Sequence, residues 1–124
     1  MRHRTRSLLV AFDVRAAGPE ATARSLSGGN QQKLVLAREL DGSPALLVAE
    51  NPTRGLDLLA TAAIHARLRA ARDAGMAIVV YSSDLDELVT LSDRTFAMFA
   101  GALLTVPRDR QAIGHAMLGT SNAS

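Results

Sequence analysis

Residues 25–33 read "SLSGGNQQK" and precede a run of helical periodicity. Gly28 and Gly29 leave the backbone bare, so a ligand can approach it without meeting a side chain. The first amides of a helix have no partner within the helix, and with the helix dipole they favour an anion such as phosphate. Ser27 is placed to cap the helix and adds a hydroxyl donor, and Lys33 lies about one turn further on. Alone, an SGG step is better read as a helix cap after a tight turn.

Two further groups of polar residues shift that balance. "ALLVAE", residues 45–50, is an aliphatic run bounded by turn signals, which predicts a strand buried on both faces, as in a parallel sheet. Glu50 and Asn51 fall at its C-terminal edge, where open parallel sheets place their ligands. Pro52 then ends the strand and Asp57 lies in the loop that follows. About 30 residues beyond Asn51, a second aliphatic run, "MAIVVYS", ends in "SDLDE".

These motifs must be held by a small α/β unit. A weak helical pattern covers residues 4–13 and a loop follows at 15–24. A helix is expected from Gly29 to Leu40, and a long Ala/Leu/Arg helix over 58–74, stopped by Gly75. A short helix with acids in its first turn spans 84–92, two strands turning at Gly101 span 94–106, and a last helix precedes a loose tail, "GTSNAS". Strand–helix alternation of this kind is α/β layering.

Composition narrows the possibilities. The 124 residues allow one small domain with an aliphatic core, since there are three Phe, one Tyr and no Trp. The absence of cysteine excludes disulfides and thiolate metal sites. No apolar run reaches ~18 residues, so no membrane-spanning helix is expected. The basic start turns apolar, but Asp13 interrupts the run and no small-residue cleavage site follows, so no signal peptide is expected. Arg2, Arg4 and Arg6 carry the basic excess, and the other eleven basic residues face twelve acids. No aromatic platform accompanies that tip, so a solvated end is expected and no nucleic-acid partner. His65 and His115 lack ligand-spaced partners, and "DLDE" lacks the spacing of a calcium loop. Arg54 is a candidate brace for its loop.

Taken in order, "LSGGNQQK", an aliphatic strand, "ENPTRGLD" and "VVYSSDLDEL…LSDR" resemble the second half of an ATP-binding cassette (ABC) nucleotide-binding domain. The likeness covers residues 12–106 and is greatest to the second cassette of ribose- and nucleoside-type importers. It implies a partial P-loop NTPase-like parallel sheet flanked by helices, over residues 1–106, with residues 107–124 as a C-terminal helix and tail. By resemblance, Ser27, Gly28, Gly29, Asn30 and Gln31 form the signature motif, which contacts the γ-phosphate of ATP held by an opposing cassette. Glu50 occupies the position of the Walker B aspartate, which helps to hold Mg²⁺ through water. Gly55, Leu56 and Asp57 form the D-loop at the dimer interface, and Ser82–Ser83 the switch segment.

Three positions depart from the family pattern. Glu50 keeps a charge on a longer arm. Asn51 replaces the catalytic glutamate, and an amide cannot act as a general base. Ser83 replaces the switch histidine. The chain also contains no Gly-x-x-x-x-Gly-Lys-[Ser/Thr], so it is not expected to bind ATP on its own. The resemblance implies ATP and Mg²⁺ in a full assembly, a second cassette and membrane permease subunits as partners, and a cytoplasmic place beside the inner membrane. Against this stand an inactive truncated reading frame and a non-transport ABC ATPase head. The short stretch "FDVRAAGPEATAR" before the signature argues against the latter, which carries long coiled coils there.

Overall fold

Four helices of the computed structural model, which describes residues 1–120, begin at a capping side chain that accepts a backbone amide. Ser27 starts α2 (Gly28–Leu40), Asp57 starts α3 (Leu58–Asp73), Asp84 starts α4 (Leu85–Leu91) and Asp109 starts α5 (Arg110–Met117). Each cap satisfies an otherwise orphan donor of the first turn. A fifth helix, α1 (Arg2–Ala11), opens the chain, and a 3-10 turn at Ala23–Ser25 leads into α2. The tail residues 121–124 lie outside the described residues.

The chain divides into two units, residues 1–79 and residues 80 onward. The core of the first gathers Leu36 and Ala37 of α2, Ile64 and Leu68 of α3, and Leu47 of β1 (Leu46–Glu50), all buried. Ile64 and Leu68 are one helical turn apart, so one face of α3 carries the packing. β1 pairs with β2 (Ala77–Tyr81) in a two-stranded parallel sheet, and α3 makes the crossover between the strands. Gly75, at φ +100°, stops α3 in a backbone conformation that a side chain would disfavour. Arg2 and Arg4 form surface ion pairs with Glu20 and Asp41, at 2.9 and 2.7 Å.

In the second unit, β3 (Thr95–Phe99) and β4 (Ala102–Val106) form an antiparallel hairpin with Thr95 opposite Val106 and Phe99 opposite Ala102. Ala100 and Gly101 both take positive φ, the turn that suits a two-residue hairpin loop. α5 packs on the hairpin, where Ala97 and Ile113 are buried.

The strand expectation needs one correction. The aliphatic run of β1 is buried on one face only: Leu47 is 7 % exposed, whereas Leu46 and Val48 are 54 and 64 % exposed. On β2, Val79 is likewise 54 % exposed. A two-stranded sheet with helices against one side leaves the other side of a sequence made for two-sided burial in water. We expect the isolated 124-residue chain to bind a hydrophobic dye and to self-associate in sedimentation. Val48→Glu should reduce both while changing stability by no more than about 0.5 kcal/mol. Unchanged dye binding in that variant would place the sticky surface elsewhere.

Candidate phosphate-binding helix start and its loop

The N-terminus of α2 gathers most of the sequence-predicted residues of the first unit. Ser27 stands at φ −61°, ψ 158°, and its Oγ accepts the Asn30 backbone amide at 3.3 Å and Asn30 Nδ2 at 3.0 Å. Its own hydroxyl hydrogen has no acceptor among the described residues, and Ser27 and Gly28 are exposed. The first intrahelical bond runs from Gln31 N to Ser27 O at 2.8 Å, so the amides of Gly28 and Gly29 precede the helical ladder. This is a donor set of a hydroxyl and two backbone N–H groups, which fits a phosphate oxygen. Asn30 Oδ1 accepts the Arg15 amide at 3.0 Å, and Gln31 Nε2 donates to the carbonyls of Ala23 and Leu26. These side chains fasten the segment that leads into α2.

The glycines have different reasons to be there. A Cβ on Gly28 would meet Leu56 Cδ2 at an ordinary 3.9 Å. A Cβ on Gly29 would lie 2.9 Å from the Cβ of Ala60, closer than packed carbons allow. Gly29 therefore lets the start of α2 sit directly against the start of α3. The loop between β1 and α3 is drawn into the same knot. Asp57 Oδ1 accepts the Ala60 amide at 2.7 Å, so Asp57 caps α3. Gly55 takes φ +75°, and Arg54 N and Leu56 N donate to the carbonyls of Asn51 and Thr53. The Arg54 side chain is exposed, and only its backbone amide closes the turn.

Other residues fall elsewhere. Lys33 Nζ reaches Asp13, 3.1 Å from its carbonyl and 3.4 Å from its carboxylate, and so braces α1 against α2 instead of joining the helix start. Glu50 is exposed at the end of β1, and Asn51 follows in the left-handed region at φ +44°. No group of three or more acid, His or Cys ligands forms among the described residues, His65 and His115 included. A Mg²⁺ held mainly by water and phosphate asks for only one or two carboxylates, and Glu50 can supply one. A cleft of about 430 Å³ lined by Phe12, Leu40, Pro44, Arg67 and Met76 contains none of the predicted residues. There the Arg67 guanidinium lies 4.6 Å from the Phe12 ring centre.

In the second unit, Ser82 is buried and donates to Glu87 Oε2 at 2.5 Å, while its Oγ accepts the Asp84 amide at 3.0 Å. Asp84 caps α4 through the amides of Asp86 and Glu87. The exposed Ser83 therefore sits on a segment pinned from within by its neighbour. Sequence reading missed the Ser82–Glu87 bond, for which the five-residue spacing across a helix start is the available signal.

The chain is 46 % identical over 118 residues to a nucleoside import ATP-binding protein of Lactococcus lactis, a match that spans 92 % of this chain. The chain belongs to the ATP-binding cassette family. A guanosine import ATP-binding protein of Bacillus subtilis is 45 % identical over 104 residues, or 84 % of this chain, and a ribose import ATP-binding protein of Shouchella clausii is 41 % identical over 99 residues, or 80 %. This cassette chain spans about a fifth of the length of these relatives, 23, 20 and 20 %. No family model matches the chain. Among solved structures, the ADP conformation of MJ1267, an ATP-binding cassette of an ABC transporter, superposes with a TM-score of 0.71 at 19 % identity. The match covers 94 % of this chain and 45 % of that one. A dimeric post-hydrolysis state of the cassette MJ0796, bound to ADP and Pi, gives 0.66 at 22 % identity, covering 80 % of this chain and 44 % of that one. At these identities the likeness establishes the fold. No helix among the described residues is long and apolar enough to cross a membrane.

Two stability predictions follow from the cassette's packing. Gly29→Ala should cost about 1–3 kcal/mol from overpacking against Ala60, less the helix-propensity gain of up to ~1 kcal/mol. Gly28→Ala should be near neutral or stabilising, and Ala60→Gly should rescue Gly29→Ala in urea unfolding. Ser82→Ala should cost about 1–3 kcal/mol, because it strips a partner from the buried Glu87 carboxylate. A loss for Ser82→Ala no larger than that for Ser83→Ala, read from thermal unfolding, would show that the buried bond is not what holds the segment.

Proposed function

We propose that this chain forms part of the ATP-binding subunit of an ABC importer for nucleosides or sugars and supplies the signature side of a composite ATP site. The observation that carries this reading is the start of α2, where the Ser27 hydroxyl and the amides of Gly28 and Gly29 lie ahead of the helical ladder, at a helix start tied down by Asn30 and Gln31. Donors fixed in advance at the γ-phosphate stabilise phosphoryl transfer without reorganising during the step. The substrate class rests on the names of the relatives, which import nucleosides, guanosine and ribose.

The cassette's partners in this reading are a second cassette that brings the P-loop, catalytic glutamate and Mg²⁺-bound ATP, and permease subunits that place it on the cytoplasmic side of the membrane. Glu50 and Asn51 would face the other composite site. There Asn51 orients water but takes no proton, so that site turns over slowly or not at all. Gly55, Leu56 and Asp57 would line the boundary between the two cassettes.

The test replaces the corresponding segment of a full-length relative with this chain and measures ATP turnover. Ser27→Arg should lower the rate on the order of 10²-fold, the usual cost of losing one positioned donor. Asn51→Ala should cost little. An equal loss from both, or a larger one from Asn51→Ala, would assign the catalytic burden to this chain's own strand end.

A further inference from the structure

α2 buries Leu36 and Ala37 and presses Gly29 onto α3, so its inward stripe runs through positions 29, 32 and 36. Packing alone would put an aliphatic residue at the middle position. Gln32 stands there instead, half-buried, and its Nε2 donates to the carbonyl oxygen of Pro52 at 2.8 Å. A polar group on an inward stripe is tolerated only when it is satisfied, and this bond satisfies it. Its acceptor belongs to the loop that starts at the altered catalytic position, and Pro52 is itself buried. Three ties thus span α2 and the segment from 52 to 60: Gln32 to Pro52, Gly28 beside Leu56, and Gly29 against Ala60. The first of these is directional.

We infer that Gln32 is a positioning residue that makes the signature helix start and the D-loop one body, so that the phosphate-facing donors move with the loop. This deepens the composite-site reading and rests on it for its functional meaning. A purely packed contact would let α2 slide against the loop, because van der Waals neighbours are exchangeable. The amide-to-carbonyl bond fixes the register of Ser27, Gly28 and Gly29 relative to Gly55, Leu56 and Asp57. Displacement of the loop is then passed to the donors instead of being absorbed between them.

The test is amide hydrogen exchange read by NMR on the 124-residue chain, comparing the parent with Gln32→Met and Gln32→Lys. Methionine keeps the length and removes the donor, whereas lysine keeps a donor long enough to reach the carbonyl. In Gln32→Met, protection at Gln31, Arg54 and Leu56 should fall together by up to about tenfold, the fold-change expected for one lost hydrogen bond. Gln32→Lys should restore it. The amides of the hairpin β3–β4 should keep their parent values in both. Unchanged protection in Gln32→Met, loss confined to one of the two segments, no rescue by lysine, or loss that includes the hairpin would each overturn the inference. No nucleotide enters this measurement, so its outcome is independent of the turnover experiment.

Discussion

The close approach of two helix starts, α2 at Gly29 and α3 at Ala60, is the constraint on which the first unit depends. Both helices begin at their caps within one turn of that contact, Ser27 for one and Asp57 for the other. Once the two starts touch, the loop from Asn51 to Asp57 has little freedom, because it must leave β1 and reach the Asp57 cap. The glycine that the resemblance assigns to nucleotide contact is thus also the residue that permits the packing. A side chain there would push the helices apart and carry the phosphate-facing amides with them.

Much of this was legible because it is local. Ser27 before a helical period, Gly75 after one, and Gly101 between two apolar runs are signals within a few residues of their effect, and helix and strand bounds followed from them. The motifs were legible for the same reason, since their order and spacing lie along the chain. What escaped notice depends on partners far away in sequence. Lys33 looked like a phosphate ligand by its place one turn into α2, but its carbonyl partner on Asp13 lies twenty residues earlier. The bond from Gln32 to Pro52, twenty residues later, leaves no mark in the local sequence. The one-sided burial of β1 follows from what lies over the sheet, which no reading of Leu46 and Val48 by themselves supplies.

The two halves of the motif set also differ in how they are held. The start of α2 is exposed but tied down: Asn30 and Gln31 spend their side chains on neighbouring backbone, and two of its three donors are backbone amides, which cannot rotate as a hydroxyl can. Glu50 is an exposed carboxylate at a strand end. In the composite site proposed above, preorganisation is concentrated where charge would be received from another chain. An ATPase site assembled from two cassettes can tolerate such an imbalance, because each site draws its donors and its base from opposite sides.

The backbone at Asn51 has a consequence for descent. Its φ of +44° lies in the left-handed region, which asparagine enters more readily than other residues bearing a Cβ. A single substitution to glutamate would restore a carboxylate but would place it on a backbone that costs about 1–2 kcal/mol for most side chains. The carboxylate would return either strained or after the turn before Pro52 had been rebuilt. Asparagine at this position is in that sense a ratchet: the loop geometry that it tolerates resists replacement by most other side chains.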